Sequence, residues 1–74
     1  MPVHIVMDRH GDSRHFFDPA DARSLLEAEA RFNTLVGKGF RAVVPGEQGA
    51  PGRLLRHFDQ TTEKTLFIPP LEGG

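Results

Sequence analysis

Only one stretch of this chain has helical periodicity, and that limits the fold more than any other feature. Ala22, Leu25, Ala28, Phe32 and Leu35 recur at steps of three and four, with Leu26 and Val36 beside them, which gives one apolar stripe along an α-helix. Asp18-Pro19 marks its start. An aspartate at the N-cap accepts from an orphan N–H, and proline at the first helical position loses no hydrogen bond. Asp21 adds negative charge to the first turn, where the helix dipole favours it. Glu27 and Arg31 stand four apart in the favourable order. Gly37 and Gly39 bracket Lys38 and stop the helix. The spacing predicts a helix over 19–36. One helix has one stripe to bury and no second helix to bury it against, so its cover must be a sheet.

The remaining apolar segments are short and suit strands. Val3-His4-Ile5-Val6-Met7 is mostly β-branched, with Val3, Ile5 and Met7 on one face at period two. Asp8 to Asp12 reads as a turn around Gly11, and 13–17 as the return strand of a hairpin. Phe40 to Val44 is a third strand, ended by Pro45. Pro45 to Gly52 is a Gly- and Pro-rich loop, without the Lys-Ser/Thr ending of a phosphate loop. Arg53 to Phe58 is a fourth strand and Thr65 to Ile68 a fifth, stopped by Pro69-Pro70. The first and last strands are the most apolar, which predicts central, parallel neighbours. The expected core sets Leu25, Leu26, Phe32 and Leu35 of the helix against Val3, Ile5, Leu54, Leu66 and Ile68. The fold class is therefore α+β, a mixed sheet of four to five strands covered by one helix, with one domain over 1–68 and a flexible tail over 69–74.

Composition removes several functions. In 74 residues, nine Lys and Arg face ten Asp and Glu, for a formal net charge of −1. Without a basic surplus there is nothing to neutralise a phosphate backbone, so no nucleic-acid partner is expected. The chain has no cysteine, which excludes a disulfide framework and a thiol nucleophile and suits a cytoplasmic location. No signal-peptide pattern opens it and no run approaches the roughly 20 apolar residues of a membrane span, so no membrane partner is expected.

The C-terminal segment Leu66-Phe67-Ile68-Pro69-Pro70-Leu71-Glu72-Gly73-Gly74 carries the functional information. Together with the strand-strand-helix-strand-strand-strand order, it resembles the ubiquitin-like β-grasp superfamily. The run from Phe67 to Gly74 is very similar to the tail of molybdopterin-synthase-type sulfur carriers, and ubiquitin-like modifiers end in the same Gly-Gly. The likeness of motif is confined to this tail; the rest matches in its order of elements. The resemblance implies that the chain is not an enzyme. Gly74 would carry the reactive carboxylate and Gly73 would let the tail thread a narrow channel. Pro69, Pro70 and Leu71 would position the tail. With Gly74 as the last residue, no protease would be needed to expose it.

The chemistry of such a tail follows from its groups. An α-carboxyl has a pKa of roughly 3.5 and is ionised at neutral pH. It can attack the α-phosphate of ATP to form an acyl adenylate, which then acylates an amine, a thiol or a sulfide. ATP would be used by the activating enzyme, with no cofactor bound to this chain. Six extended residues span roughly 20 Å, enough to leave the domain at the channel entrance. Two stiff prolines reduce the entropy lost on docking.

Three fates remain open. The carboxylate becomes an amide or ester on a target protein, with a conjugating enzyme as a further partner; or it becomes a thiocarboxylate for a sulfur-accepting enzyme; or the domain is a non-covalent interaction module. Lys38 and Lys64 are the only side-chain amines and hence the acceptor candidates for chains. In ubiquitin-like folds the outer sheet face beside the tail meets partners, and Val43, Leu55 and Phe67 are the residues expected there; a strand phase shifted by one residue would exchange the faces. Arg14, Arg41, Arg53 and Arg56 are expected on the same face, as a patch for an acidic partner or, equally, as a solvated face. Of the four histidines, His4, His10, His15 and His57, His4 and His15 are expected opposite one another on the outer face, as solvated side chains rather than metal ligands.

Overall fold

In the computed structural model, residues 1–71 are described. Five strands and one helix follow the expected order: β1 (Val3–Asp8), β2 (Gly11–Phe16), α1 (Ala22–Gly37), β3 (Arg41–Val44), β4 (Arg53–Leu55) and β5 (Lys64–Ile68). They form a mixed sheet in the order β2-β1-β5-β3-β4, with α1 packed on one face. This α+β arrangement is compatible with a β-grasp fold. The central pair, β1 and β5, is parallel, with Ile5 beside Leu66 and Val6 beside Phe67. The other pairings are antiparallel.

The helix begins three residues later than expected. Asp18 is not its cap: it accepts from the Ala20 N–H in a tight turn, and its own N–H donates to Ser24 Oγ. Asp21 is the N-cap, with Oδ1 accepting from the Arg23 N–H at 3.0 Å. Asp-x-x-Asp thus offers two capping carboxylates, and the second one wins. At the far end Gly39 takes φ +96°. Its N–H donates to the Val36 carbonyl and the Phe40 N–H to the Leu35 carbonyl. These two bonds make a Schellman closure, which needs a residue tolerant of positive φ at Gly39.

The phases of β1, β4 and β5 are displaced by one residue from those expected, while β3 keeps Val43 on the outer face as expected. The face under α1 carries His4 and Val6 of β1, Thr65 and Phe67 of β5, Ala42 of β3 and Leu55 of β4, as the cross-strand pairs require. Phe32, Ala42 and Phe67 form its buried centre, with Val6, Leu35, Phe40, Leu55 and Phe58 packed around them. Val3, Ile5, Leu54, Leu66 and Ile68, expected beneath the helix, all lie on the opposite face. Val3 and Ile5 are still buried there, between neighbouring strands, but Leu54 and Ile68 are exposed. On the helix, Leu25 is half-buried and Leu26 is exposed, because Ala28 and Phe32 centre the packed stripe.

The reason for the displacement is aromatic volume. His4 lies in the interior, 2% exposed, with its ring centroid 5.0 Å from Phe17, 4.9 Å from Phe67, 6.0 Å from Phe58 and 6.4 Å from Phe32. Four phenylalanines and one imidazole fill the space between helix and sheet, and large aromatic rings bury more area than the aliphatic alternatives on the other face.

Candidate functional site

The base of the tail is built by three elements. β5 sits in the middle of the sheet, hydrogen-bonded on both sides, and ends at Ile68. Pro69 and Pro70 have no N–H to offer, so pairing stops there. Pro70 lies over the helix C-terminus: its Cβ and Cγ are 3.4 and 3.5 Å from the point where a Cβ on Gly39 would stand. Phe40, Ile68 and Pro70 line an open cavity of about 690 Å³ together with Met7 and Leu71. The Leu71 side chain is 94% exposed. Gly73 and Gly74 lie outside the described residues. Lys38 is the helix C-cap, immediately before Gly39, and is exposed. Lys64 is exposed at the first position of β5, a strand's length from the tail, roughly 15 Å away.

Of the three residues expected on the partner surface, one is there. Val43 is half-buried on the outer face. Phe67 is 0% exposed and belongs to the core, and Leu55 faces α1, packed against that core. The residues that occupy the outer face are their neighbours. Leu66 and Val43 are direct partners, as are Val43 and Leu54. Ile5 adjoins Leu66, and Phe16 stands opposite Val3. Phe16, Leu54 and Ile68 are exposed. Around them on the same face stand Arg14, opposite Ile5, Arg41, opposite Ile68, and Lys64, beside Val3. Asp12, opposite Met7, is the carboxylate of that face within the strands. The outer face is thus an apolar field with a cationic border, continuous through Ile68 with the tail. Arg53 does not join it; it pairs with Val44 on the helix side.

His4 is also corrected: it is an interior residue, not a solvated one. Arg31 Nη1 donates to His4 Nδ1 at 3.2 Å, which leaves the imidazole proton on Nε2. Burial pushes the His4 pKa down from its ordinary 6.5 to about 4, and the charges of Arg31 and His15 push in the same direction. His15 stands opposite His4 in the hairpin and is half-buried, with Nε2 3.1 Å from Ser13 Oγ. Burial also lowers the Arg31 pKa, while Glu27 raises it. His10 and His57 are exposed. Among the described residues, no three His, Cys, Asp or Glu side chains come together as a metal site. No helix there is long and apolar enough to cross a membrane.

Comparison of the chain with protein-family models, with curated proteins and with solved structures finds no match to any of the three.

Proposed function

We propose that this chain is a ubiquitin-like β-grasp protein, residues 1–68 forming the domain and 69–74 a tail whose C-terminal carboxylate is the reactive group. A partner enzyme adenylates Gly74: the carboxylate attacks the α-phosphate of ATP, pyrophosphate leaves, and AMP departs when an acceptor takes the acyl group. The acceptor in this reading is an amine or hydroxyl of a target protein. The observation that carries it is the passage from a doubly paired central strand, β5, directly into Pro69-Pro70-Leu71-Glu72-Gly73-Gly74. In this reading the folded domain presents a chain end that is narrow because its last two positions have no side chains. The outer face of Val43, Leu54, Leu66 and Ile68 is the surface offered to the activating enzyme.

The sulfur-carrier reading shares the first step and is favoured by the two prolines, one apolar residue and Gly-Gly of the tail. In it the adenylate is displaced by a sulfide equivalent to give a thiocarboxylate. Intact mass spectrometry of the protein from its native host separates the fates. A gain equal to sulfur minus oxygen marks the carrier. Adducts on other proteins mark the modifier, and an unchanged mass leaves the interaction module.

The direct test removes Gly74 or replaces Gly73 by Val and follows both melting and ATP–pyrophosphate exchange with the cognate activating enzyme. An adenylation site holds its reacting atoms within about 3–3.5 Å, and one residue less withdraws the carboxylate by roughly 3.5 Å. Exchange is therefore lost while melting is unchanged. Exchange that survives both changes refutes the proposal. If chains form, they use Lys38 or Lys64; chains that persist in the Lys38→Arg, Lys64→Arg double variant use the N-terminus or a hydroxyl.

A further inference from the structure

A second surface, apart from the tail and meeting the outer face only at its border residues Arg41 and Leu54, has the chemistry of a docking site. Where α1 ends, β3 begins and β4 stops, an open cavity of about 450 Å³ is walled by Val36, Phe40 and Leu55 and bordered by Arg41, Arg56 and His57. Its volume falls in the range of about 300–1,000 Å³ typical of binding pockets. Val36 is partly exposed at the helix surface, and Leu54 on the cavity's lip is 51% exposed. No carboxylate among the described residues lines the cavity. Among the described residues neither guanidinium has a hydrogen-bond or ion-pair partner.

The backbone beside this cavity is also open. β4 is the last strand of the sheet and is only three residues long, so among the described residues one row of its N–H and C=O groups has no neighbouring strand. An exposed edge is a template for another extended chain. Edge pairing supplies main-chain hydrogen bonds, and adjacent pockets for alternate side chains supply specificity.

We propose that this corner of the fold docks an extended partner segment carrying an apolar side chain flanked by carboxylates. The segment lies along β4, its apolar side chain enters the cavity against Val36, Phe40 and Leu55, and its carboxylates meet Arg41 and Arg56. Arginine suits this role because its planar fork pairs with a carboxylate through two parallel bonds. The inference goes beyond the reading of the tail, because nothing in it uses the C-terminal carboxylate.

The test is an NMR titration of the full, isotopically labelled chain with the capped hexapeptide Ac-EELLEE-amide, beside its basic counterpart Ac-KKLLKK-amide. The expected result is saturable shifts at Val36, Phe40, Leu55 and His57 with the acidic peptide and none with the basic one. Affinity falls by at least about tenfold in the Arg41→Glu, Arg56→Glu double variant, through like-charge repulsion, with melting unchanged because both side chains are exposed. Equal binding of the two peptides, wild-type affinity in the double variant, or shifts centred on Ile5, Val43 and Leu66 would each overturn the proposal. So would shifts at the cavity that appear on concentrating the protein alone and vanish on removing residues 71–74. That result would assign the cavity to the tail of a second copy, since Leu71 followed by Glu72 has the same chemistry. Loss of pyrophosphate exchange on tail truncation is independent of every one of these outcomes.

Discussion

The two faces of the sheet differ in the opposite sense from the usual one. The face packed under α1 carries a histidine and a threonine, His4 and Thr65, both nearly inaccessible. The face turned away from the helix carries Val3, Ile5, Met7, Val43, Leu54, Leu66 and Ile68. By side-chain hydropathy alone the second face would be the core. Aromatic bulk decides otherwise: Phe17, Phe32, Phe58 and Phe67 meet on the helix side, within 5.7–6.0 Å of one another where they pair. His4 joins them as a neutral ring whose Nδ1 is satisfied by Arg31. Burying a polar atom is costly only when it lacks a partner. On the second face Val3 and Ile5 are covered by their neighbours, and Leu54 and Ile68 are the aliphatic side chains left exposed.

The sharpest way to break this comparison is to cut neighbouring residues on β5. Phe67→Ala empties the core and is expected to cost about 3–5 kcal/mol, whereas Ile68→Ala, one residue on and facing outward, costs no more than about 1 kcal/mol. Chemical denaturation of the two variants measures both. Equal losses would mean that the outer face is packed as tightly as the inner one.

The next largest effect is acid sensitivity. Folded, His4 remains neutral down to about pH 4; unfolded, it takes up a proton at its ordinary pKa near 6.5. Between those values the unfolded state binds the extra proton, so stability is complete above pH 6.5 and is lost as pH falls toward 4. The His4 share of that loss is about 3 kcal/mol. Melting curves across this window should flatten in His4→Leu. A slope unchanged by the substitution would place the titration elsewhere.

A smaller effect probes the layer that makes the inner face inner. Asp21→Ala removes the N-cap of α1 and should cost about 1 kcal/mol, while Asp18→Ala, whose carboxylate serves only the preceding turn, should cost less. The reverse order in thermal melts would restore Asp18 as the cap. Smallest of all, Leu54→Ser on the outer face should move stability by about 0.5 kcal/mol at most, yet weaken pyrophosphate exchange through poorer docking of the activating enzyme. A variant that exchanges like the parent would remove Leu54 from that surface.

Element order was legible in the sequence because it depends on local signals. Prolines and glycines punctuate the chain, and the helical stripe has no competitor. The parallel neighbourhood of the first and last strands was legible from their apolar content. Strand phase was not. Val3, Ile5 and Met7 make a better apolar row than His4 and Val6, and nothing local reveals that His4 will find Arg31, 27 positions away. The one available signal was the count of six phenylalanines in a chain without Trp or Tyr, since whichever face gathers them has the larger volume to bury. The helix start is ambiguous in the sequence for a local reason: Asp18 and Asp21 are both competent caps, and Pro19 favours the first without excluding the second. At the tail the motif was plain in the sequence. Its seat against Gly39 and Phe40 was not, because that contact spans 31 residues between Gly39 and Pro70.

The central position of β5 has a consequence for how the molecule comes into being. Its neighbours, β1 and β3, touch only through it, so before residue 68 is available the chain has two separate hairpins and a helix with nothing continuous to cover. Contacts between the two ends of a chain carry the largest loop-closure entropy and form slowly. Productive folding is therefore postponed until the last strand is synthesised, and the segment that emerges next is the tail. A chain that stops short of β5 lacks the closed sheet, so under the proposed function an activating enzyme that requires the folded domain passes it over.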